Sequence, residues 1–244
     1  MKFAAFIPAR YASTRFPGKP LAMLGDMTVI ERVFRQVKKV VDDVWVATDD
    51  QCIADAVERF GGQFVMTRND HRSGTDRIIE AVETTGCQAD VIINCQGDEP
   101  FISPEQIVTL MQLFDNPTTE IATLGKRFES IEAAENPNSP KIAVGINGRA
   151  LYFSRSMIPF IRGEEQQNWL RCYPFLKHIG IYAYRRETLN IIKTLEPTPL
   201  EKAESLEQLR WLENGLTISI GLTDIETVGI DTPADLEKAF QLLD

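Results

Sequence analysis

The sequence is poor in histidine and cysteine, and it lacks the spacings with which these residues usually bind zinc. Only His71 and His178 occur in 244 residues. Four cysteines are present, and none belongs to a C-x-x-C pair: Cys52, Cys87, Cys95 and Cys172. This distribution argues against a zinc site. We expect the cysteines to be reduced thiols, some of them in the core.

An excess of positive charge and a long apolar run are also missing. Lys and Arg number 26 against 35 Asp and Glu, so the net charge is -9. Such a charge disfavours binding to nucleic acid or an anionic membrane. The beginning, MKFAAFIPAR, is apolar for only a few residues, too short for a secretory signal or a membrane span. We expect a cytoplasmic protein whose partners are small molecules, not nucleic acid or membrane.

Strand-like and helical segments alternate over the first 115 residues. Short apolar runs predict strands over 2–9, 43–48, 63–66 and 90–95. Helical spacing and capping residues predict helices after Thr28 and over 53–60, 74–85 and 103–114. This alternation is typical of an α/β fold with a mostly parallel sheet flanked by helices. The ligand site of such a sheet lies at the carboxyl ends of its strands.

The pattern changes over residues 120–185, where strand-like runs are separated by polar loops. These runs predict a small insert with antiparallel pairing. Helical spacing resumes over 189–195 and 206–212, followed by a strand over 217–221 and a last helix that begins at Thr232. No linker separates two independent regions, so we predict one domain over 1–244 that includes the insert.

The loop after the first predicted strand is rich in groups that bind phosphate. Three cations, two hydroxyls and a glycine fall within it: Arg10, Arg15, Lys19, Ser13, Thr14 and Gly18. This set suits a triphosphate. The loop is not a P-loop, because Pro20 follows Lys19, and the chain has no G-x-G-x-x-G fingerprint there. A solvated basic surface loop remains the alternative.

Two carboxylates follow apolar segments far apart in the chain. Asp98 lies in QGDEP after a predicted strand, and Asp231 lies in VGIDTPADL. Magnesium is usually held by one or two carboxylates together with substrate phosphates and water, so this pair could bind Mg²⁺. Asp231 could instead serve only as a helix cap. Gln96-Gly97-Asp98 is not the D-x-D that a glycosyltransferase of similar fold usually shows.

Eight sequence blocks are distributed along the whole chain: PARYASTRFPGKPL (8–21), VATDD (46–50), DHRSGTDR (70–77), NCQGDEPFI (94–102), ALYFSR (150–155), KHIGIYAYR (177–185), LEQLR (206–210) and GIDTPADL (229–236). Together they resemble one known family, the 3-deoxy-manno-octulosonate (Kdo) cytidylyltransferases. The resemblance implies a Rossmann-like nucleotide-diphospho-sugar transferase fold.

The resemblance also implies roles for individual residues. Arg15, Lys19 and Asp98 look catalytic, and Asp98 and Asp231 look like the Mg²⁺ ligands. The nucleotide contacts it implies are Ala9, Arg10, Arg15, Lys19, Ala47, Thr48, Ser73, Gly74, Arg77, Gln96 and Asp98. The implied contacts to the acidic sugar are Arg155, His178, Tyr182, Glu207 and Gln208. Arg72 stands where many relatives are expected to have Gln.

The activity implied is transfer of CMP from CTP to the anomeric 2-hydroxyl of Kdo, which gives CMP-Kdo and pyrophosphate for lipopolysaccharide synthesis. The 120–185 insert would contribute to the sugar site and to the surface of a homodimer. Three alternatives stay open: a nucleotidyltransferase of this fold for sialic acid or a sugar phosphate, a cytidylyltransferase for 8-amino-Kdo, and a nucleotide-binding module without activity.

Overall fold

The computed structural model of the protein describes residues 1–243, and Asp244 lies outside the described residues. The chain forms two compact units. One contains Met1–Val108 together with the chain from Thr227 onward, and the other is Thr109–Glu226. The single domain with an insert over 120–185 stays a prediction.

The first unit alternates strands and helices as predicted. Its elements up to Val108 are β1 (Phe3–Ala9), β2 (Met23–Leu24), β3 (Met27–Thr28), α1 (Val29–Lys38), β4 (Asp43–Thr48), α2 (Gln51–Arg59), β5 (Gln63–Met66), α3 (Gly74–Thr85), β6 (Val91–Asn94) and the first half of α4 (Pro104–Gln112), which continues past the unit boundary. The strands pair in the order β6-β1-β4-β5, all parallel. The carboxyl ends of these strands therefore share one edge, where the loops after β1, β4 and β6 emerge.

Local sequence signals explain the helix boundaries. Thr28 caps α1 by accepting a hydrogen bond from the Glu31 N–H, and the apolar side of α1 is buried. α2 begins two residues earlier than predicted because the Asp50 carboxylate accepts hydrogen bonds from the N–H groups of Cys52 and Ile53. Gly61, with a positive φ of 77°, follows the end of α2.

The second unit contains the predicted antiparallel pairing. Its elements are β7 (Ile121–Arg127), α5 (Ile131–Glu135), β8 (Lys141–Val144), β9 (Ala150–Ser154), α6 (Trp169–Cys172), β10 (Leu176–Arg185), α7 (Arg186–Ile192), α8 (Pro199–Glu204), α9 (Gln208–Glu213) and β11 (Ile218–Leu222). β10 is antiparallel to β7 and β8, and β8 is antiparallel to β9. β11 is parallel to β7, so this sheet is mixed.

Three short helices of the second unit were not predicted. α5 and α6 span only five and four residues, too few for a helical period to be visible. α8 had a readable signal, because Thr198 and Glu201 form a capping box around Pro199. The last helix of the chain, α10 (Pro233–Phe240), begins after Thr232 as predicted and belongs to the first unit.

The cysteines agree with a further expectation. All four cysteines are free thiols, and Cys95 is buried, which raises the pKa of its thiol far above the ordinary value. None of the helices in the described part of the chain combines the length and apolar character needed to cross a bilayer.

Candidate active site

A cleft of about 390 Å³ opens in the first unit where the loops after β1 and β6 meet the start of α3. Polar and charged side chains dominate its wall. The lining residues are Pro8, Ala9, Arg10, Ala12, Ser13, Thr14, Arg15, Lys19, Pro20, His71, Arg72, Ser73, Gly74, Arg77, Gln96, Gly97, Asp98 and Asp231. The predicted triphosphate loop and both predicted metal carboxylates are thus in one cleft.

The loop after β1 is folded so that Lys19 has a defined position. Gly18 has a φ of 71°, and its N–H donates a hydrogen bond to the Tyr11 carbonyl oxygen at 2.9 Å. A Cβ at Gly18 would lie 3.2 Å from the Tyr11 ring, so glycine suits both the left-handed backbone and the close packing. Lys19 then begins a 3-10 helix, Lys19–Leu21. The loop forms one wall of the cleft, although most of its residues, Arg10, Thr14 and Arg15 among them, are exposed to solvent.

Two distant segments are joined beside Asp98. The Ile230 N–H donates to the Asp98 carbonyl oxygen at 2.8 Å, and the Ile230 side chain is completely buried in a cluster with Leu24 and Val29. At Gly97 an added Cβ would lie only 2.6 Å from the Pro8 carbonyl oxygen, so no larger residue fits without a shift of the backbone. This packing places Asp231 next to Asp98.

Lys19 lies between these two carboxylates. Its Nζ is 2.6 Å from Asp98 Oδ2 and 3.1 Å from Asp231 Oδ1. The second Asp231 oxygen, Oδ2, is 3.0 Å from a guanidinium nitrogen of Arg15. The Lys19 side chain is only 13% exposed, whereas that of Arg15 is 65% exposed. Two cations and two anions thus alternate across the cleft.

Asp231 is not the cap of α10. Thr232 is the N-cap residue, and its hydroxyl accepts a hydrogen bond from the Asp235 N–H. Asp235 completes the capping box with a carboxylate that accepts from the Thr232 N–H and hydroxyl. The Thr232 hydrogen bonds lower the pKa of Asp235. The Asp231 carboxylate is therefore not used for capping and lines the cleft.

The residues predicted to contact the nucleoside divide into two groups. Ser73, Gly74 and Gln96 line the cleft, and Ser73 also caps α3 through its hydroxyl. Ala47 and Thr48 are completely buried at the end of β4 and do not line the cleft.

Arg77 lines the cleft, but only 4% of its surface is exposed. Its guanidinium donates to Thr67 Oγ1 at 2.6 Å and lies 3.3 Å from an Asp49 carboxylate oxygen. These contacts hold α3 against the ends of β4 and β5. Arg77 therefore supports the cleft wall from inside the protein, and its contact with a nucleotide stays a prediction.

His71 is a cleft residue that the sequence reasoning missed. Its Nε2 forms a hydrogen bond with Glu80 Oε2, and its side chain is only 5% exposed. Burial tends to raise the pKa of Glu80, but hydrogen bonds from His71 and Arg68 outweigh this effect and lower it. The sequence contained a signal for a cleft position, because His71 and Arg72 directly precede the cap residue Ser73 in DHRSGTDR.

The five residues predicted to contact the sugar all belong to the second unit. Arg155 donates hydrogen bonds to the carbonyl oxygens of Pro137, Glu204 and Ser205 at 2.6 to 3.2 Å. These contacts tie the end of β9 to the loop at Pro137 and to the end of α8. The predicted pairing of Arg155 with a sugar carboxylate stays a prediction.

His178 and Tyr182 come together on β10, with ring centroids 5.3 Å apart. Burial lowers the pKa of His178 to about 4, so its imidazole is neutral at neutral pH. Burial, and after it the neighbouring Tyr184 and Glu207, raise the pKa of Tyr182 well above its usual range. Trp211, which was not predicted, packs edge-on against Tyr182 at 5.1 Å.

The first turn of α9 carries Gln208, which is almost completely buried. Within the described chain, Gln208 Nε2 and the indole N–H of Trp211 have no hydrogen-bond partner. In the described residues, Arg210 Nε of the same helix also lacks a hydrogen-bond partner. Buried donors are usually satisfied, so three open donors on one helix call for an explanation. Three of the predicted sugar contacts, His178, Tyr182 and Glu207, are linked in this region by ring contacts or charge.

The carboxylate pair of the cleft is suited to magnesium. In the described residues, no group of three or more His, Cys, Asp or Glu side chains is arranged to hold a metal ion. Mg²⁺ needs fewer protein ligands, because substrate phosphates and water complete its shell. The Lys19 ammonium already lies between Asp98 and Asp231 as one shared cation. The donor set therefore fits Mg²⁺ bound together with phosphates.

Comparisons with known proteins assign the chain to a family. The cytidylyltransferase family model matches residues 4–219. The chain is 56% identical to the 3-deoxy-manno-octulosonate cytidylyltransferase of Bacteroides thetaiotaomicron, covering 100% of the chain and 98% of that relative. It is 57% identical to the enzyme of the same name from Parabacteroides distasonis, with the same coverage.

A solved structure gives the same result at the level of the fold. The structure of CMP:2-keto-3-deoxy-manno-octonic acid synthetase complexed with CTP superposes with a TM-score of 0.93 at 44% identity. The match covers 100% of this chain and 98% of that one. The predicted fold class is thereby confirmed. With this fold, the cleft and the full-length identity to two named enzymes, the chain belongs to the family of 3-deoxy-manno-octulosonate cytidylyltransferases, which are nucleotidyltransferases.

Proposed function

We propose that the protein transfers CMP from CTP to Kdo. The anomeric 2-hydroxyl oxygen of Kdo attacks the α-phosphorus in line, and the bond from that phosphorus to the bridging oxygen of the β-phosphate breaks. Pyrophosphate leaves with the electron pair of that bond, and the hydroxyl proton passes to solvent. The products are CMP-Kdo and pyrophosphate, and no covalent intermediate with the enzyme is needed.

The observation that carries this proposal is the convergence of Lys19, Asp98 and Asp231 in one cleft. Phosphoryl and nucleotidyl transfer depend mainly on positioning and on neutralising charge. A cleft with cations from one loop and carboxylates from two others provides both. The names of the relatives and of the CTP complex identify the nucleotide and the sugar.

Within the cleft we assign the cations to the triphosphate. Lys19 and Arg15 stabilise the charge that develops on the departing pyrophosphate, and Arg10, exposed in the same loop, binds the outer phosphates. The wall that we assign to cytidine is lined by Ala9, Ser73, Gly74 and Gln96. Arg77 supports this wall from inside the protein, and the buried Ala47 and Thr48 contribute to it only indirectly.

We assign Mg²⁺ to Asp98 and Asp231. When bound, the ion supplies neutralisation of the phosphate charge. The protein holds these two carboxylates in place. The hydrogen bond from Ile230 fixes the backbone at Asp98, and the capping of α10 by Thr232 fixes the backbone next to Asp231.

On the sugar side we assign binding to Arg155, His178, Tyr182, Glu207 and Gln208. A neutral His178 can accept a hydrogen bond from a sugar hydroxyl or donate one to it. The open donors of Gln208 and Trp211 support the assignment, because a ligand rich in oxygen can satisfy them.

The test is a panel of sugars assayed with CTP and Mg²⁺ by pyrophosphate release. We expect Kdo to be the best substrate, with 8-amino-Kdo, sialic acid and a sugar phosphate as comparisons. The Asp98→Asn substitution should lower kcat by a factor of about 10² or more, because removing a charge-stabilising group usually has an effect of this size. Release that is fastest with 8-amino-Kdo would revise the sugar. A lack of release with every acidic sugar would leave a nucleotide-binding module without activity.

We further propose a cytoplasmic homodimer that acts in lipopolysaccharide synthesis. The substrate CTP is a cytoplasmic nucleotide. Ile146, Leu151 and Phe160 of the 120–185 segment are exposed apolar side chains, which is the character of an interaction surface. Sedimentation equilibrium should give twice the 27.5 kDa mass of the chain, and a monomer mass at micromolar concentration would contradict the dimer.

A further inference from the structure

The ammonium of Lys19 takes the place between two carboxylates that a divalent cation would need. Its distances to Asp98 Oδ2 and Asp231 Oδ1 are 2.6 and 3.1 Å. In the described chain, Lys19 is the one hydrogen-bond or ion-pair partner of the Asp98 carboxylate. The side chain of Lys19 is only 13% exposed, whereas those of Asp98 and Asp231 are 34% and 48% exposed, so water screens this interaction in part.

A divalent ion and the Lys19 ammonium cannot both occupy this position. Mg²⁺ binds carboxylate oxygen at about 2.0–2.1 Å, closer than the ammonium does, and the two like charges repel each other at short range. An ion that takes the two oxygens that contact Lys19, Asp98 Oδ2 and Asp231 Oδ1, must therefore displace the ammonium. The displaced ammonium needs another anion, and a triphosphate in the same cleft offers several oxygens.

We propose that Lys19 is a built-in competitor for the metal and that the triphosphate removes this competition. Without nucleotide, Lys19 satisfies Asp98 and Asp231 and disfavours binding of the metal alone. With nucleotide, the ammonium moves to phosphate oxygens, and the metal enters together with the triphosphate. The inference rests on the proposed function, which assigns the carboxylates to the metal and Lys19 to phosphate.

The proposal makes Lys19 act with opposite sign on the two ligands. Loss of the lysine weakens binding of the nucleotide because a phosphate contact is lost. The same loss tightens binding of the metal alone because the carboxylates become free. By linkage, the nucleotide then improves binding of the metal less in the variant than in the wild type. A lysine that served only the phosphates would leave binding of the metal alone unchanged.

The experiment measures Mn²⁺ binding to the full chain without nucleotide, using the electron paramagnetic resonance signal of free Mn²⁺. Lys19→Met should bind Mn²⁺ about tenfold more tightly than the wild type, as expected when a charged hydrogen-bond competitor is removed. Lys19→Arg, which keeps the charge, should resemble the wild type. Arg10→Met is the matched control, because Arg10 is an exposed cation of the same cleft that has no carboxylate partner in the described residues. This variant should change the affinity for Mn²⁺ less than about threefold.

Equal or weaker Mn²⁺ binding by Lys19→Met would overturn the proposal, as would an equal gain in Arg10→Met. If Lys19→Met does not fold, as judged by circular dichroism, Lys19→Gln replaces it with the same expected direction. Adding Asp98→Asn to Lys19→Met should abolish the gain, and a gain that persists would show that the competition is elsewhere. These titrations need no sugar and no turnover, so their failure is distinct from a failure to release pyrophosphate.

Discussion

Asp231 and Asp235 show how differently two neighbouring carboxylates can be used. They are four positions apart, yet Asp231 pairs with Lys19 and Arg15, whereas Asp235 caps α10 together with Thr232. Sequence alone could not divide these roles, because an acid on either side of Thr232 and Pro233 is compatible with capping. The direction of each side chain became clear only in the folded protein.

A pair of substitutions should separate these roles. We expect Asp231→Asn to lower kcat roughly 10²-fold with little change in stability, because a charge of the cleft is lost. Asp235→Asn should instead lower the free energy of unfolding by about 0.5–2 kcal/mol, because the capping box is weakened. Urea unfolding and pyrophosphate release measured on both variants provide the check. The reverse ranking of the two kcat values would contradict the assignment of Asp231.

The neutral state of His178 should make stability depend on pH. Its pKa is about 4 in the folded protein and about 6.5 in the unfolded chain, so the unfolded chain binds more protons between these values. Stability should therefore fall as the pH drops from 6.5 towards 4, by about 1–2 kcal/mol between pH 6.5 and 5. Urea unfolding of the wild type and of His178→Gln across this range should show the steeper loss in the wild type. Parallel curves would show that His178 is not held neutral by the fold.

At the scale of elements, β10 carries an irregularity beside two of the proposed sugar contacts, His178 and Tyr182. The pairing of β10 with β7 shifts between Ile179 and Tyr182, and Thr123 of β7 lies at the shift. The Thr123 hydroxyl is 2.7 Å from the Ile181 carbonyl oxygen and 3.2 Å from His178 Nε2. A bulge of this kind leaves carbonyl groups without ladder partners, and the hydroxyl of Thr123 satisfies one of them.

We expect Thr123→Val to destabilise the protein by about 1–3 kcal/mol, because a buried carbonyl oxygen loses its donor. The KM for Kdo should rise as well, because His178 loses the hydroxyl that orients its ring. Thr123→Ser is the control, since it keeps the hydroxyl and should retain a nearly normal KM. Urea unfolding and steady-state kinetics measure the two effects. A normal KM in Thr123→Val would show that the bulge does not position the sugar site.

The predictability of the elements followed their length and their local signals. β4, β5 and α3 have the predicted bounds, because alternation, glycines and a capping serine are all encoded locally. The two-residue hairpin strands β2 and β3 were not predicted, because two residues show no period.

At the scale of the whole molecule, the number of cooperative units is still a prediction. The described chain has two compact units, and the sequence, with no linker, predicts one domain. We expect one calorimetric transition whose measured enthalpy equals the van't Hoff enthalpy. CTP with Mg²⁺ at 100 times its dissociation constant should add about 2.7 kcal/mol to the stability of the whole chain. Two transitions, of which CTP shifts only one, would show that the units unfold separately.

The sequence by itself determined the α/β alternation, the charged loop after β1 and the identity of most candidate site residues. These properties are local, since apolar periods, turn residues and short motifs are read within one segment. Only the tertiary structure decided which of them meet. The buried Ile230 and its hydrogen bond to Asp98 bring Asp231 to Lys19 across more than 200 residues, and the packing of β4 keeps Thr48 away from the cleft wall. Such meetings depend on long-range packing of buried side chains, which no local pattern in the chain specifies.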